Sequence, residues 1–205
     1  MQAYCRWLCD FFLDFRYGGY FGGKLKSRYA HLGAYDTQSI NYSVLSCIFR
    51  KYKIKDSDVL VDVGCGKGRV INWWLKQGHQ NRMIGLELDG AIAEQTRKRF
   101  ESYKNVEIIY GNALENIPEY GTIFFLYNPF DRSSTRAFKD RLKEKVRNRV
   151  QIIYANCEHL DAFSADTDWT IRTNSDFFKN DNGLILNKLD LPTSYPIAVI
   201  ERNEH

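Results

Sequence analysis

The stretch that most constrains the fold is residues 59–70, which read VLVDVGCGKGRV. A short apolar run ends in Asp62, and glycines follow at the alternate positions 64, 66 and 68. An apolar run of this length bounded by glycine is typical of a buried strand. Glycine lets the backbone turn tightly and approach a ligand without a Cβ in the way, and the helix that follows begins with unpaired N–H groups. The stretch therefore predicts a strand, a loop and a helix with a ligand site between them.

Strand and helix patterns alternate through the middle of the chain. The predicted strands cover 58–63, 82–87, 106–110, 122–127 and 150–155, and the predicted helices cover 68–78, 90–103 and 133–147. Such alternation indicates an α/β fold, in which a mostly parallel sheet has helices on both faces. Segments 169–178, 183–191 and 196–202 look like further strands without intervening helices, which favours an antiparallel extension of the sheet.

The region before this core reads as helix and loop. Residues 1–16 form an amphipathic helix, and we expect it to dock on the protein's own core. The apolar face of this helix comprises Trp7, Leu8, Phe11, Phe12 and Phe15. The sequence GGYFGG at 18–23 is either a plain connector or a lid over a pocket.

A second helix is expected between this region and the first strand. Asp36 or Thr37 would cap it, and its apolar spacing ends near Lys53. A chain of 205 residues with 44% hydrophobic residues favours a single domain over 1–205, with 1–35 as an N-terminal extension.

Composition narrows the classes of function. The net charge of +4 is well short of that of a dedicated nucleic-acid binder, and no apolar run is long enough to span a membrane. Five cysteines, an odd count without a CxxC pair, favour reduced thiols in a cytoplasmic protein and predict no metal site. Cys5 and Cys9 could share a helical face as metal ligands, although small buried side chains are the simpler interpretation.

The glycine spacing excludes two common nucleotide loops. A nicotinamide or flavin fingerprint reads GxGxxG and a P-loop reads GxxxxGK[ST], whereas this chain has D-x-G-x-G-x-G. VDVGCGKGR resembles the first motif of the class I S-adenosylmethionine-dependent methyltransferases. The resemblance implies a Rossmann-like seven-stranded sheet with an antiparallel C-terminal strand and S-adenosyl-L-methionine as cofactor. It also implies that Asp62 holds the ammonium of the cofactor and that the loop forms the floor of the site through Gly64, Cys65, Gly66 and Gly68.

Two further strand ends match the same family. Glu87 ends the second strand, and a carboxylate there can accept hydrogen bonds from two vicinal ribose hydroxyls. By resemblance, Asn112 and Ala113 after the third strand meet the adenine edge, and Leu88 contacts the adenine face.

The fourth strand ends in the sequence YNPF, residues 127–130. Members of the family that methylate amino groups carry an acid, Asn or Ser followed by two prolines and an aromatic residue, and this chain lacks the second proline. Asn128 still occupies the first position of that motif. Asn128 and Tyr127 are the candidate catalytic residues facing the acceptor. The alternative is that Pro129 and Phe130 only form a rigid strand exit, and that Tyr127 is structural.

Other charged or titratable residues give weaker signals. His159 is either a residue at a helix start or a base beside the pocket, and Tyr35, Asp36 and Glu158 are similar candidates at the rim. Lys67 or Arg69 could face the cofactor carboxylate, although exposure on the surface is the default expectation. Residues 132–149 contain eight basic and two acidic residues, which indicate either a nucleic-acid face or a solvated helix.

The sequence thus predicts a methyltransferase that acts on N or O of an unidentified acceptor, with a small molecule or saccharide favoured. RNA or protein is the alternative acceptor, and a cofactor-binding module without turnover is the second class. A nicotinamide oxidoreductase is the third class. The oligomeric state stays open.

Overall fold

The computed structural model describes residues 2–26, 28–35, 37–173 and 196–203. Its helices are α1 (Gln2–Arg16), α2 (Tyr42–Lys51), α3 (Arg69–Lys76), α4 (Gly90–Phe100), α5 (Arg132–Lys145) and α6 (Asp161–Ser164), with a 3₁₀ turn at Ala30–Leu32. Its strands are β1 (Lys24–Leu25), β2 (Thr37–Gln38), β3 (Leu60–Val63), β4 (Met83–Glu87), β5 (Val106–Tyr110), β6 (Ile123–Tyr127), β7 (Gln151–Ala155), β8 (Trp169–Thr173) and β9 (Ile197–Arg202). None of the described helices is long and apolar enough to span a bilayer.

Seven of the described strands form one sheet in the order β5-β4-β3-β6-β7-β9-β8. Strands β3 to β7 run parallel to their neighbours within this set, and β9 runs antiparallel to both β7 and β8. The expected seven-stranded, mostly parallel sheet with an antiparallel C-terminal strand is confirmed. The strand predicted at 183–191 lies outside the described residues.

Apolar residues pack against both faces of the sheet. Side chains alternate between faces along a strand, so Leu60 of β3 joins the core under α2 and α3, and Val61 joins the core under α5. The face of α5 that is turned to the sheet is buried, as Phe138 and Leu142 show. The four residues of β3 are all buried, which explains why the first strand reads as an unbroken apolar run except for its acid.

The start of the second helix differs from the prediction. Thr37 lies in β2, which pairs with β1, and α2 begins at Tyr42 after Asn41. The predicted cap at Thr37 is therefore wrong, and Asp36 lies outside the described residues. The backbone N–H of Tyr42 donates to Oδ1 of Asp10 at 3.1 Å. A carboxylate from α1 thus satisfies an end of α2 that a local side chain was expected to cap.

Helix α1 docks through its acids rather than through all of its aromatic face. Leu13 packs on the core, and Asp10 and Asp14 are buried. Phe12 and Phe15 are 67% and 63% exposed, so the expectation that they dock on the core is wrong. The side chain of Trp7 lies outside the described part of the chain.

The GGYFGG loop is fastened to the body of the protein. Phe21 is buried, and the backbone N–H groups of Phe21 and Gly22 donate to Oδ2 of Asp14 at 3.0 and 2.9 Å. The ammonium of Lys67 donates to the carbonyl oxygen of Gly22 at 2.7 Å. These bonds favour the connector interpretation over the lid.

Candidate active site

A cleft lies at the carboxyl edge of the sheet, where the strand order reverses between β3 and β6. Ligands of open parallel sheets bind at such a reversal. The cleft has about 900 Å³ of space, part of it open to solvent. Seven of the site residues that the sequence predicted line this cleft: Gly64, Glu87, Leu88, Asn112, Ala113, Tyr127 and Asn128. The fold thus brings together residues from four strand ends that are up to 64 positions apart.

The glycine loop requires its first and last glycines for different reasons. Gly64 has φ +74, and a Cβ there would lie 3.1 Å from Cβ of Pro129. Gly68 has φ +84, and a Cβ there would clash with the ring of Phe100. The loop therefore turns in left-handed conformations while it packs against α4 and the end of β6.

Glu87 is held rigidly at the cleft. Its Oε2 accepts a hydrogen bond from the backbone N–H of Gly66 at 2.8 Å, and its Oε1 accepts one from that of Asp89 at 2.8 Å. Burial raises the pKa of Glu87, and these two hydrogen bonds oppose the shift. Each carboxylate oxygen keeps a lone pair for a further donor, so the side chain can still accept hydrogen bonds from a ligand.

Asp62 lies behind the loop and is not part of the cleft lining. Its carboxyl group is buried, and its Oδ2 has no hydrogen-bond partner among the described residues. Burial, reinforced by the charge of Glu87, raises the pKa of Asp62 to about 8. A buried carboxylate without a cation is costly, so this position suits a ligand that carries a positive group.

Cys65, Gly66 and Gly68 shape the loop from within rather than lining the cleft. The Cys65 thiol is buried against β4, where a Cβ on Gly85 would meet its Sγ at 2.7 Å. Burial raises the pKa of this thiol well above its ordinary value, with smaller contributions from the charges of Asp62 and Glu87. The thiol therefore stays protonated and packs as a small apolar group.

The loop after β5 presents Asn112 and Ala113 to the cleft. Oδ1 of Asn112 accepts a hydrogen bond from the backbone N–H of Leu114 at 3.0 Å, which fixes the amide. Leu88 and Ile92 supply apolar surface to the same cleft. This part of the cleft thus combines a fixed amide with apolar side chains.

Asn128 takes an unusual conformation at the end of β6. Its φ is +43, and its Oδ1 accepts a hydrogen bond from the hydroxyl of Tyr154 at 2.8 Å. A non-glycine residue held at positive φ is uncommon and is often found at functional sites. Tyr127 packs partly against the core and also lines the cleft, so the two roles considered for it are compatible.

The N-terminal segment forms a wall of this cleft, which the sequence analysis missed apart from Tyr35. The backbone N–H of Tyr35 donates to the carbonyl oxygen of Pro129 at 3.1 Å, and Ala34 bridges to Phe130. These contacts are to the YNPF strand end. The segment lines the cleft through Lys26, Arg28, Tyr29, Leu32, Ala34 and Tyr35. No local sequence signal marks such a wall, because it depends on contacts about 95 positions apart.

A second cleft adjoins the first on the side of β7. The polar residues that line it are Tyr35, Gln38, Tyr127, Asn128, Asn156 and Glu158. His159 lies next to it, and its Nε2 is 2.9 Å from the hydroxyl oxygen of Tyr35. The rim candidates therefore gather at one place, although Asp36 lies outside the described residues.

Arg69 is not on the surface, so that expectation is wrong. Its guanidinium is buried and donates through Nη2 to Oδ2 of Asp14 at 2.6 Å and through Nη1 to the carbonyl oxygen of Ile40 at 3.1 Å. Lys67 reaches the N-terminal loop instead of the cleft. The first residue of α3 thus ties the glycine loop to α1.

The basic helix α5 carries its charges in pairs. Lys139 and Lys143 both contact Asp166, and Arg141 pairs with Glu144 on the same helix. Arg132 and Arg136 both pair with Asp161 of α6. These contacts favour the solvated helix over the nucleic-acid face.

The sequence of this chain is similar to sequences of known methyltransferases. Residues 60–128 match the methyltransferase domain family. Over 80 residues the chain is 30% identical to ribosomal RNA small subunit methyltransferase A of Dehalococcoides mccartyi strain CBDB1, which covers 39% of this chain and 27% of that protein. The chain thus spans about a quarter of the length of the curated relatives it matches.

Two solved structures show how widely the fold is shared. An RNA methyltransferase from Salinibacter ruber in complex with S-adenosyl-L-homocysteine superposes with a TM-score of 0.59 at 19% identity, covering 82% of this chain and 95% of the other. The mitomycin 7-O-methyltransferase MmcR superposes with a TM-score of 0.55 at 16% identity, covering 78% and 54%. The two act on different kinds of molecule, so the likeness concerns the fold.

Proposed function

We propose that this chain is a member of the class I S-adenosylmethionine-dependent methyltransferase superfamily and that it transfers a methyl group from S-adenosylmethionine to a nitrogen or oxygen of a small molecule or saccharide. In this proposal residues 1–205 are one domain, and the described part of 1–35 adds a wall to the cleft. The described cysteines are free thiols, which supports a cytoplasmic location.

The observation that carries the proposal is the pair of carboxylates beside the glycine loop. Glu87 is fixed by two backbone N–H groups and faces the cleft, and Asp62 is buried behind it with one oxygen that lacks a partner among the described residues. One carboxylate suits hydroxyl donors and the other suits a cation. A nucleoside that carries an amino acid has both groups.

In this proposal each predicted site residue would contact one part of the cofactor. Glu87 would accept hydrogen bonds from the ribose hydroxyls, and Asp62 would attract the ammonium from behind the loop. Asn112 and the backbone of Ala113 meet the adenine edge, while Leu88 covers its face. Gly64 would form the floor, and Cys65, Gly66 and Gly68 would hold the loop beneath it in shape.

For methyl transfer the protein mainly has to align the acceptor atom with the methyl group. When bound, S-adenosylmethionine supplies an activated methyl group on a sulfonium whose leaving group is neutral. Holding two reactants in line can lower the barrier by about 7–11 kcal/mol in the best intramolecular cases. Tyr127 and Asn128 line both clefts, and we assign them to orient the acceptor.

Binding of S-adenosylhomocysteine to Glu87→Gln tests the cofactor assignment. We expect the product to raise the melting temperature of the wild type and to bind the variant at least tenfold more weakly, because an amide cannot replace both acceptor oxygens. Glu107→Gln is the matched control, since Glu107 lies on the neighbouring strand in an exposed ion pair with Arg82. Absence of any shift for the wild type would overturn the cofactor assignment.

RNA is the second candidate acceptor, because the sequence relative is a ribosomal RNA methyltransferase. The paired charges on α5 speak against it. Incubation with total RNA and labelled cofactor should give no labelled RNA under the leading proposal. If RNA is labelled, and the labelling is lost in the double variant Arg141→Glu, Lys145→Glu, the methyl acceptor is RNA and not a small molecule.

A further inference from the structure

The second cleft is placed to receive the methyl acceptor. It shares Tyr35, Tyr127 and Asn128 with the first cleft, along with Ala34 and Gln38. A group bound in it therefore meets the contents of the first cleft at the end of β6. Everything that follows rests on the proposed function, because it assumes that the first cleft holds the methyl donor.

The lining of the second cleft favours a cation. Among the described residues that line it, Glu158 is the one charged side chain, and the polar remainder are amides and tyrosine hydroxyls. A carboxylate near two aromatic rings attracts an ammonium group through its charge and through the ring faces. A phosphate group would meet no positive side chain among the described residues that line this cleft.

The turn after β7 holds this carboxylate in place. Asn156 has φ +52, and with Asn128 it makes up the two non-glycine residues at positive φ among those described. Nδ2 of Asn156 donates to Oε1 of Glu158 at 3.0 Å, and the backbone N–H of Glu158 donates to the carbonyl oxygen of Asn156 at 2.8 Å. Two adjacent parallel strands thus end in strained asparagines that face one cleft.

A tyrosine and a histidine stand where a proton could leave the acceptor. The Tyr35 hydroxyl lies 2.9 Å from Nε2 of His159, and Tyr35 is exposed along both clefts. Nδ1 of His159 is buried without a partner among the described residues. With the imidazole proton on Nδ1, Nε2 accepts the Tyr35 hydroxyl proton and can take up a proton through it.

We infer that the second cleft binds an aliphatic amine, that Glu158 and the rings of Tyr35 and Tyr127 hold its ammonium form, and that Tyr35 with His159 removes its proton. The ammonium gives one proton to the Tyr35 oxygen while the Tyr35 proton passes to Nε2 of His159. The neutral nitrogen then forms a bond to the methyl carbon, the carbon–sulfur bond breaks, and its electron pair stays on sulfur. Tyr35 is the residue that touches the acceptor, and His159 acts through it as a positioning residue and proton acceptor.

Binding without turnover is the first test. The protein saturated with S-adenosylhomocysteine is titrated calorimetrically with methyl glucosaminide and with Nα-acetyl-lysine amide, and methyl glucoside serves as the hydroxyl counterpart. We expect at least one amine to bind five times more tightly than the glucoside, and Glu158→Gln to remove that difference. Glu101→Gln, on the exposed end of α4 at the opposite edge of the sheet, should leave it unchanged.

The two amines also distinguish the source of the ammonium group, a free amino sugar or a lysine side chain. Equal binding of amine and glucoside, or no binding of either amine, overturns the inference. Binding of S-adenosylhomocysteine in the same preparation is measured separately, so its absence would instead overturn the proposed function.

Turnover tests the proton path. With the better amine, Tyr35→Phe should lower kcat at least tenfold, since general base catalysis contributes a factor of about 10²–10⁴. The affinity for S-adenosylhomocysteine should change much less, because the variant keeps the ring that lines both clefts. His159→Gln should move the rise of the pH–rate profile to higher pH, and His79→Gln, at the far end of α3, should not. The titratable groups around His159 that could also shape this profile are Tyr35, Asp131, Tyr154 and Glu158. An unchanged profile in His159→Gln, or methylation of the glucoside in preference to the amines, contradicts the inference.

Discussion

Asp14 and Asp62 are both buried aspartates, yet their surroundings are opposite. Asp14 accepts hydrogen bonds from two backbone N–H groups, from the Tyr42 hydroxyl at 2.8 Å and from the Arg69 guanidinium at 2.6 Å. Asp62 has an oxygen without any partner among the described residues. One carboxylate is satisfied by the protein itself, and the other is not.

The contrast separates a structural joint from a ligand site. A buried ionised group is tolerated when it is paired and hydrogen-bonded, and Asp14 meets both conditions. Its bonds join α1, the GGYFGG loop, α2 and the start of α3. Asp62 meets neither condition fully, so a cationic ligand would complete its environment. Burial by itself therefore does not distinguish the two roles, whereas the number of hydrogen-bond partners does.

The largest expected effect is that of Asp14→Asn on stability. The change removes the shorter of the two ion pairs of the buried Arg69 guanidinium and leaves it with Asp10 at 3.6 Å. We therefore expect the free energy of unfolding to fall by about 3 kcal/mol, the lower end of the cost of breaking a buried ion pair. Urea denaturation followed by circular dichroism measures it. A loss below about 1 kcal/mol would mean that the bonds of Asp14 contribute little to stability, and Asp14 would no longer count as a structural residue in contrast to Asp62.

Asp62→Asn is expected to affect binding instead of stability. The affinity for S-adenosylhomocysteine should fall about 10- to 100-fold, because a hydrogen bond to a charged group contributes about 1.5–3 kcal/mol. The free energy of unfolding should not fall by more than about 1 kcal/mol, since an amide has nearly the same shape as the protonated carboxyl group. Titration and scanning calorimetry on Asp14→Asn and Asp62→Asn measure the affinity and the stability of both variants. A large loss of stability in Asp62→Asn would contradict the assignment of Asp62 to ligand binding.

The smallest expected effect is a pH dependence of binding. The pKa of Asp62 is raised to about 8, so the carboxyl group is mainly protonated at neutral pH and must lose its proton to hold an ammonium group. Affinity for S-adenosylhomocysteine should therefore rise as pH increases from 6 to 8, by at most about tenfold per pH unit. In Asp62→Asn the slope should disappear. A wild-type affinity that is constant across this range would show that Asp62 does not ionise on binding.

The same raised pKa has a consequence for the ligand-free protein. A group whose pKa is higher in the folded state stabilises the fold below its unfolded pKa, and this contribution is lost as pH rises through the folded value. For Asp62 the window runs from the ordinary value of 3.8 to about 8. Asp62→Asn should therefore flatten the decline in stability over this window.

Much of the sheet was predictable because its signals are local. The strand at 106–110 was predicted with the observed bounds, and the glycine loop was recognised from twelve consecutive residues. Asp62 and Glu87 stood out because each is an acid that ends an apolar run. Strand ends are readable from sequence because burial and turning change abruptly there.

The errors arose where distant residues decide the outcome. Arg69 was expected on the surface, and the acid that buries it lies 55 positions away on α1. Thr37 was expected to cap a helix whose end is bonded by Asp10 instead. His159 and Tyr35 are 124 positions apart, so their pairing had no local signal.

The sequence alone determined the alternation of strands and helices, the glycine loop and the two acids beside it, because each depends on residues close together in the chain. Only the tertiary structure decided which buried acid is satisfied, which cations are paired and which residues wall the two clefts. The physical reason is that a hydrogen bond or an ion pair depends on distance in space, and the fold sets that distance independently of separation along the chain.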